Sequence, residues 1–185
     1  SLHNGEIVGV EALIRWLHPR LGTIMPDRFI AVAEDSGMIN PIGDWVLFEA
    51  CRQAQAWIDE GLQLRTMAVN VAPVQFRQAG FVEMVAGALS ATGLVADCLE
   101  LELTERTVMH DAEFTLGTLS ALNRMGVSLA LDDFGTGYSS LAYLKRFPVG
   151  KLKIDRSFVM DLETGADDQA IASTIVSMGR SLRLT

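Results

Sequence analysis

The chain has 185 residues, 49% of them hydrophobic, and a formal net charge of −8 from 15 Lys+Arg against 23 Asp+Glu. That length suits one globular unit, and that apolar share suits a packed core, which excludes general disorder. The acidic balance excludes a non-specific nucleic-acid surface such as DNA needs, because phosphate backbones are held by clustered Lys and Arg; a small phosphate ligand held through a metal ion stays open. No run approaches the ~18 uninterrupted apolar residues of a membrane span, and the opening residues carry no signal-peptide pattern. Cys51 and Cys98 have neither CxxC spacing nor the density of a disulfide scaffold, so the cytoplasm is the expected compartment.

Strand-like runs rich in Val, Ile and Leu alternate with longer stretches of helical periodicity. In chain order, the pattern predicts a strand over 7–16 and a helix over 26–35 with Pro26 in its first turn. A helix over 42–60 ending at Gly61 is followed by a strand over 66–71 and a helix over 81–92 ending at Gly93. A strand over 98–103, a helix over 111–125 ending at Gly126 and a strand over 127–131 come next. The last are a strand over 151–154 and a helix over 167–182 whose opening Asp residues suit the positive end of a helix dipole. Strands alternating with helices predict one α/β domain over 1–185 with a mainly parallel sheet. Trp45, Trp57 and the methionines fall on helical apolar stripes and are expected in the core. His3, His18 and His110 lack partners at metal-ligand spacing and read as surface or capping residues, and the acids near 161–168 read as a solvated loop and helix start.

Polar residues recur where the apolar runs end. Glu11 stands in the first, Asn70 in the second, Glu102 and Glu105 in the third, Asp132 and Asp133 in the fourth, Lys153 and Asp155 in the fifth. In parallel α/β folds ligands bind at these strand ends. One acid there reads as a helix cap, but five successive runs with such groups do not reduce to caps. Glu11, Asn70 and Glu102 lie inside their apolar runs, where an unpaired carboxylate costs several kcal/mol or takes up a proton. Divalent cations resolve the repulsion, and carboxylates with an Asn carbonyl suit Mg²⁺ or Mn²⁺ rather than Zn²⁺. The adjacent Asp132 and Asp133 fit a two-metal site of the kind used in phosphoester hydrolysis. The following Gly135-Thr136-Gly137 permits a tight turn but lacks the further glycine of a dinucleotide fingerprint. Lys153, flanked by Leu152 and Ile154, is placed to orient a water or stabilise phosphate charge.

These residues resemble the EAL-domain phosphodiesterases, which hydrolyse the bacterial second messenger cyclic di-GMP to linear pGpG. The resemblance rests on Glu11-Ala-Leu-Ile-Arg-Trp16, Val-Asn-Val at 69–71, Glu-Leu-Thr-Glu at 102–105, Asp-Asp-Phe-Gly-Thr-Gly-Tyr-Ser-Ser-Leu at 132–141 and Lys-Leu-Lys-Ile-Asp-Arg-Ser-Phe-Val at 151–159. Five motifs in order over most of the chain are far more specific than three letters. The family fold is a TIM-type (β/α)8 barrel whose first strand runs antiparallel to the rest, and the chain is expected to hold part of it, roughly strands two to six, without the first strand and the last two.

The resemblance implies that Glu11, Asn70, Glu102 and Asp132 are ligands of one metal ion, that Asp132 bridges to a second, and that Asp133 binds that second ion. It makes Lys153 the contact of the nucleophilic water, Arg15 and Leu13 substrate contacts, and Glu105 the residue that steadies the loop after the Asp pair. The loop at 135–140 resembles a segment that links metal binding to dimerisation, so a homodimer is expected. Asp155 lies near the site without an assigned role. Two Mg²⁺ or Mn²⁺ ions are implied, with activity rising toward alkaline pH and Ca²⁺ inhibitory through its looser coordination. The parent protein is expected to carry an upstream sensory or GGDEF-type domain. Ala72 replaces a frequent family Ser, and the Val-Ala-Glu-Gly-Val-Glu segment with its second-metal glutamate is absent. Two other readings compete: a cyclic di-GMP receptor or signalling scaffold that does not cleave, and a metal-dependent lyase or enolase-type barrel, which does not predict the whole motif series.

Overall fold

The computed structural model describes residues 1, 4–135, 141–160, 162 and 166–185. Of the sequence expectations, His3, most of the 135–140 loop and part of the acidic stretch near 161–168 lie outside the described residues. The chain divides into two compact units, Ser1–Glu100 and Leu101–Thr185, and the division falls inside one strand.

In the first unit, β1 (Val10–Ala12) is followed by a hairpin of β2 (Trp16–His18) and β3 (Gly22–Ile24). A 3-10 turn at Pro26–Arg28 leads into α1 (Ile30–Asp35) and the long α2 (Ile39–Asp59). Then come β4 (Met67–Asn70), α3 (Pro73–Phe76) and α4 (Phe81–Thr92), a second 3-10 turn at Ala96–Cys98, and the start of β5 (Leu99–Thr104). β1 runs parallel to β4, with Val10 opposite Met67 and Ala12 opposite Val69. β2 and β3 are antiparallel, with His18 opposite Gly22. The His18 Nδ1 accepts the backbone N–H groups of Arg20 and Leu21 at 3.2 Å each, so this histidine caps the hairpin turn.

The core of this unit is one face of α2 packed on α4 and β4. Leu47, Cys51 and Ala54 are the buried stripe of α2, meeting the equally buried Val69, Phe76 and Val85. Each large apolar side chain removed from water contributes about 1.5–3 kcal/mol. The Phe76 and Phe81 rings add an edge-to-face contact at 5.7 Å. Trp45 corrects the expectation of a core tryptophan, since it is 59% exposed. It sits two residues from Leu47, about 200° around the helix from the buried stripe. Met67 is buried as expected, whereas Met25, Met38 and Met160 are exposed.

In the second unit β5 continues into α5 (Glu105–Met109), then α6 (Ala112–Arg124), β6 (Ser128–Phe134), α7 (Leu141–Leu144), β7 (Lys151–Ile154), α8 (Ser157–Met160) and α9 (Ala166–Leu182). β6 and β7 are parallel. Leu101, Leu103, Val108, Leu119, Leu122 and Leu131 are fully buried. Side-chain caps start α5 and α6: Thr104 Oγ1 accepts from Thr107 N at 3.4 Å, and Asp111 Oδ1 from Phe114 N at 3.2 Å.

The predicted helix over 81–92 coincides with α4, and the predicted strand over 151–154 with β7. α4 stops where expected because Gly93 takes φ +79°, a left-handed C-terminal position that favours glycine. The predicted strand over 7–16 is instead a three-residue β1 and, from Trp16, the first arm of a hairpin. A continuous apolar run hides the break, because Leu13 and Ile14 look like strand residues. The short helices α3 and α5 follow β4 and β5 too closely for helical periodicity to register.

Candidate active site

In the first unit the β1–β4 register brings two predicted ligands together. Glu11 lies opposite Ala68, and Asn70 is two residues further along β4 on the same side. The Asn70 Nδ2 donates to Glu11 Oε1 at 2.7 Å. Both residues are exposed, which corrects the expectation that they are buried within their apolar runs. Leu13, 54% exposed, lines with Glu11 a cleft of about 260 Å³ floored by Ala50 and Met67 and flanked by Trp45 and Trp57. Arg15 lines a second, larger cleft of about 450 Å³ with Trp16, Arg28 and Phe29. Its guanidinium donates to Ile14 O at 2.8 Å.

In the second unit the decisive feature is a bulge. Leu131 pairs with Leu152 and Phe134 with Ile154, so Asp132 and Asp133 together face the single residue Lys153. Asp133 carries φ +53°, a left-handed conformation that Asp tolerates better than most residues. The Lys153 ammonium donates to Glu102 Oε2 at 2.6 Å and to Asp132 Oδ2 at 3.3 Å. The Glu102 side chain is only 3% exposed, that of Asp132 22% and that of Lys153 31%. Glu102 is thus the buried carboxylate among the predicted metal ligands, and an ammonium offsets its desolvation.

Asp133 is held above the ordinary carboxylate range, first by desolvation and then by the negative charges of Asp132 and Asp155. Asp155 is held below that range by its hydrogen bonds from the Ser157 hydroxyl and backbone N–H, and it shares a hydrogen bond with Asp133. Sequence reasoning left Asp155 without a role. Its signal was the two-residue spacing from Lys153, which puts both on one side of an extended segment.

Glu105 is 2% exposed, and its Oε2 accepts the backbone N–H of Gly135 at 3.1 Å. Its Oε1 is buried with no hydrogen-bond partner among the described residues. Gly135 has φ +103°, and a Cβ there would stand 2.9 Å from the Phe158 ring and 3.1 Å from Ile175, so glycine is required for space as well as for conformation.

Among the described residues, no three His, Cys, Asp or Glu side chains are grouped so as to hold a metal ion. The donor chemistry nonetheless fits a hard divalent cation: every predicted ligand offers oxygen, and in the second unit two carboxylates already converge on a cation, the Lys153 ammonium. No described helix is long and apolar enough to cross a membrane.

The parallel α/β units and the acid–lysine cluster define a domain class: the chain belongs to the EAL domain family, whose profile matches residues 1–185. It is 51% identical over 98% of its length to the bifunctional diguanylate cyclase/cyclic di-GMP phosphodiesterase MucR of Pseudomonas aeruginosa. It is 46% identical over its whole length to the cyclic di-GMP phosphodiesterase NbdA of the same organism. Among solved structures, the MucR phosphodiesterase in complex with c-di-GMP superposes with a TM-score of 0.95 at 51% identity, covering 98% of this chain and 73% of that one. The α/β fold of the EAL type expected from the sequence is therefore the fold observed. The chain spans about a quarter of the length of these curated relatives, 26% of MucR and 24% of NbdA.

Proposed function

We propose that this chain is the catalytic part of a metal-dependent phosphodiesterase that hydrolyses cyclic di-GMP to linear pGpG. The observation that carries the reading is the Lys153 ammonium set between the carboxylates of Glu102 and Asp132, which is the second-unit part of the motif series. The identity to two relatives named as cyclic di-GMP phosphodiesterases, and to a structure titled as a c-di-GMP complex, supports the substrate.

In this reading Glu11, Asn70, Glu102, Asp132 and Asp133 supply oxygen ligands to Mg²⁺ or Mn²⁺, two ions in all. Bound there, such ions would supply a water acidic enough to act as nucleophile near neutral pH and Lewis-acid stabilisation of phosphoryl charge. The chain's own groups do the rest. Lys153 directs its N–H groups at the water and at the developing charge on phosphorus-bound oxygen. Arg15 holds an anionic or polar part of the dinucleotide, and Leu13 gives it an apolar contact. Glu105 keeps Gly135 in place and so steadies the segment after the Asp pair. Ca²⁺, which accepts looser oxygen coordination than Mg²⁺, would be expected to bind the same residues and inhibit turnover. The domain works in the cytoplasm, as a homodimer, beneath an upstream sensory or GGDEF-type domain of the parent protein.

Glu11→Ala and Asp132→Asn are expected to lower turnover by about 10²–10³-fold, as loss of one electrostatic stabiliser does in other active sites. Chromatographic measurement of pGpG from cyclic di-GMP with saturating Mg²⁺ checks this. Full activity of either variant contradicts the ligand assignment. Binding of cyclic di-GMP by the unaltered protein without any product favours the receptor reading instead.

A further inference from the structure

We propose that Lys153 is a tethered counter-ion that occupies the carboxylates of Glu102 and Asp132 before metal arrives, so that metal loading and release of the Lys153 ammonium are a single exchange. The inference deepens the reading above and rests on it.

Three observations carry the proposal. The Lys153 Nζ lies 2.6 Å from Glu102 Oε2 and 3.3 Å from Asp132 Oδ2, both oxygens of predicted metal ligands. The backbone enforces this placement, because the β6 bulge sets Asp132 and Asp133 opposite Lys153. Glu102 is nearly excluded from water, so its charge needs a cation in every state of the site.

A divalent ion bound at about 2.0–2.2 Å from these oxygens and an ammonium at hydrogen-bond distance seek the same lone pairs and repel each other. The two therefore compete. Lysine suits the role: its charge is a compact point on a flexible four-carbon stem, and the 31% exposed side chain has room to withdraw. After the exchange the buried carboxylate remains neutralised, now by metal, and the freed ammonium is available to a phosphate oxygen. Competition is reciprocal, so metal weakens the Lys153 contacts and those contacts weaken metal binding; removing them strengthens metal binding by at most the factor they held it down.

The test is Mn²⁺ binding by isothermal titration calorimetry, with thermal melts in parallel, on the unaltered protein and on Lys153→Met, Lys153→Gln and Lys153→Arg. The expected result is an Mn²⁺ affinity higher by about tenfold or more in the Met and Gln variants, the equivalent of one lost charge-assisted hydrogen bond. The Arg variant, which keeps the charge, shows no such gain. Mn²⁺ also raises the melting temperature more in the Met and Gln variants than in the unaltered protein. If Lys153→Met does not fold, Lys153→Gln, which retains a polar donor, carries the same comparison. Equal or weaker Mn²⁺ binding by the neutral variants, with the unaltered protein binding, overturns the exchange and leaves the metal reading standing. No Mn²⁺ binding by any of the four overturns the metal reading and this inference with it.

Discussion

Asp133 is the residue at which local cost and functional role diverge most. It adopts φ +53°, and its carboxyl is pushed above the usual value by desolvation and by the neighbouring Asp132 and Asp155. A carboxyl whose folded-state pKa is raised contributes stability only while protonated. That contribution is complete below the ordinary value near 3.8 and is lost as pH rises through the raised one. At neutral pH the charge therefore opposes folding. Asp133→Asn is expected to stabilise the metal-free protein at pH 7 by up to about 1 kcal/mol, a modest effect because the exposed side chain is screened by water. The advantage shrinks toward pH 4 and, if Asp133 is the metal ligand proposed above, reverses when Mn²⁺ is added. Thermal melts at the two pH values, with and without Mn²⁺, check this; a metal-free variant that melts below the parent at pH 7 contradicts the account. The candidate site residues were visible in the sequence as polar letters at the ends of apolar runs. Their environments were not: Glu11 and Glu102 stand in similar apolar runs, yet one is exposed and the other buried, because burial depends on what packs over each strand.

At the scale of elements, β1 is short and leans on one close approach. The Val10 N–H donates to Thr66 O at 2.9 Å, and a Cβ on Gly9 would stand 2.9 Å from both that oxygen and Thr66 Cβ. Backbone cannot yield as a flexible side chain can. Gly9→Ala is expected to cost about 1–3 kcal/mol by overpacking, read as a lower urea midpoint, and to loosen the Glu11–Asn70 hydrogen bond with it. An unchanged midpoint contradicts the tight approach. Cys51, wholly buried in α2, has its thiol pushed up to about 11 by burial. Its contribution is complete below the ordinary thiol value of 9.0 and is lost as pH rises toward about 11, since the unfolded chain ionises first. Urea midpoints at pH 8 and 10.5 are expected to fall more steeply for the parent than for Cys51→Ala; identical slopes contradict it. Long elements were readable because periodicity needs length. α4 was found at its observed bounds, and the four-residue β7 was found from the turn residue and acid that bracket it, Gly150 and Asp155, whereas the β2–β3 hairpin, α3 and the β6 bulge turn on single residues and register shifts that no apolar pattern announces.

For the whole chain, the net charge of −8 argued against a non-specific nucleic-acid surface and left open a small phosphate ligand held through a metal ion. Part of that charge lies on Glu102 and Asp132 at the Lys153 ammonium, on the neighbouring Asp133, and on Glu11 beside Asn70. Alternating strands and helices revealed the fold class, and the order of five motifs revealed the family, since each motif closes a different strand. Metal-dependent cleavage is tested most directly by conversion of cyclic di-GMP to pGpG with Mn²⁺, repeated after EDTA. The account predicts product with Mn²⁺ and none after chelation, with activity restored by excess metal. Cleavage that survives chelation, or none with metal present, contradicts it.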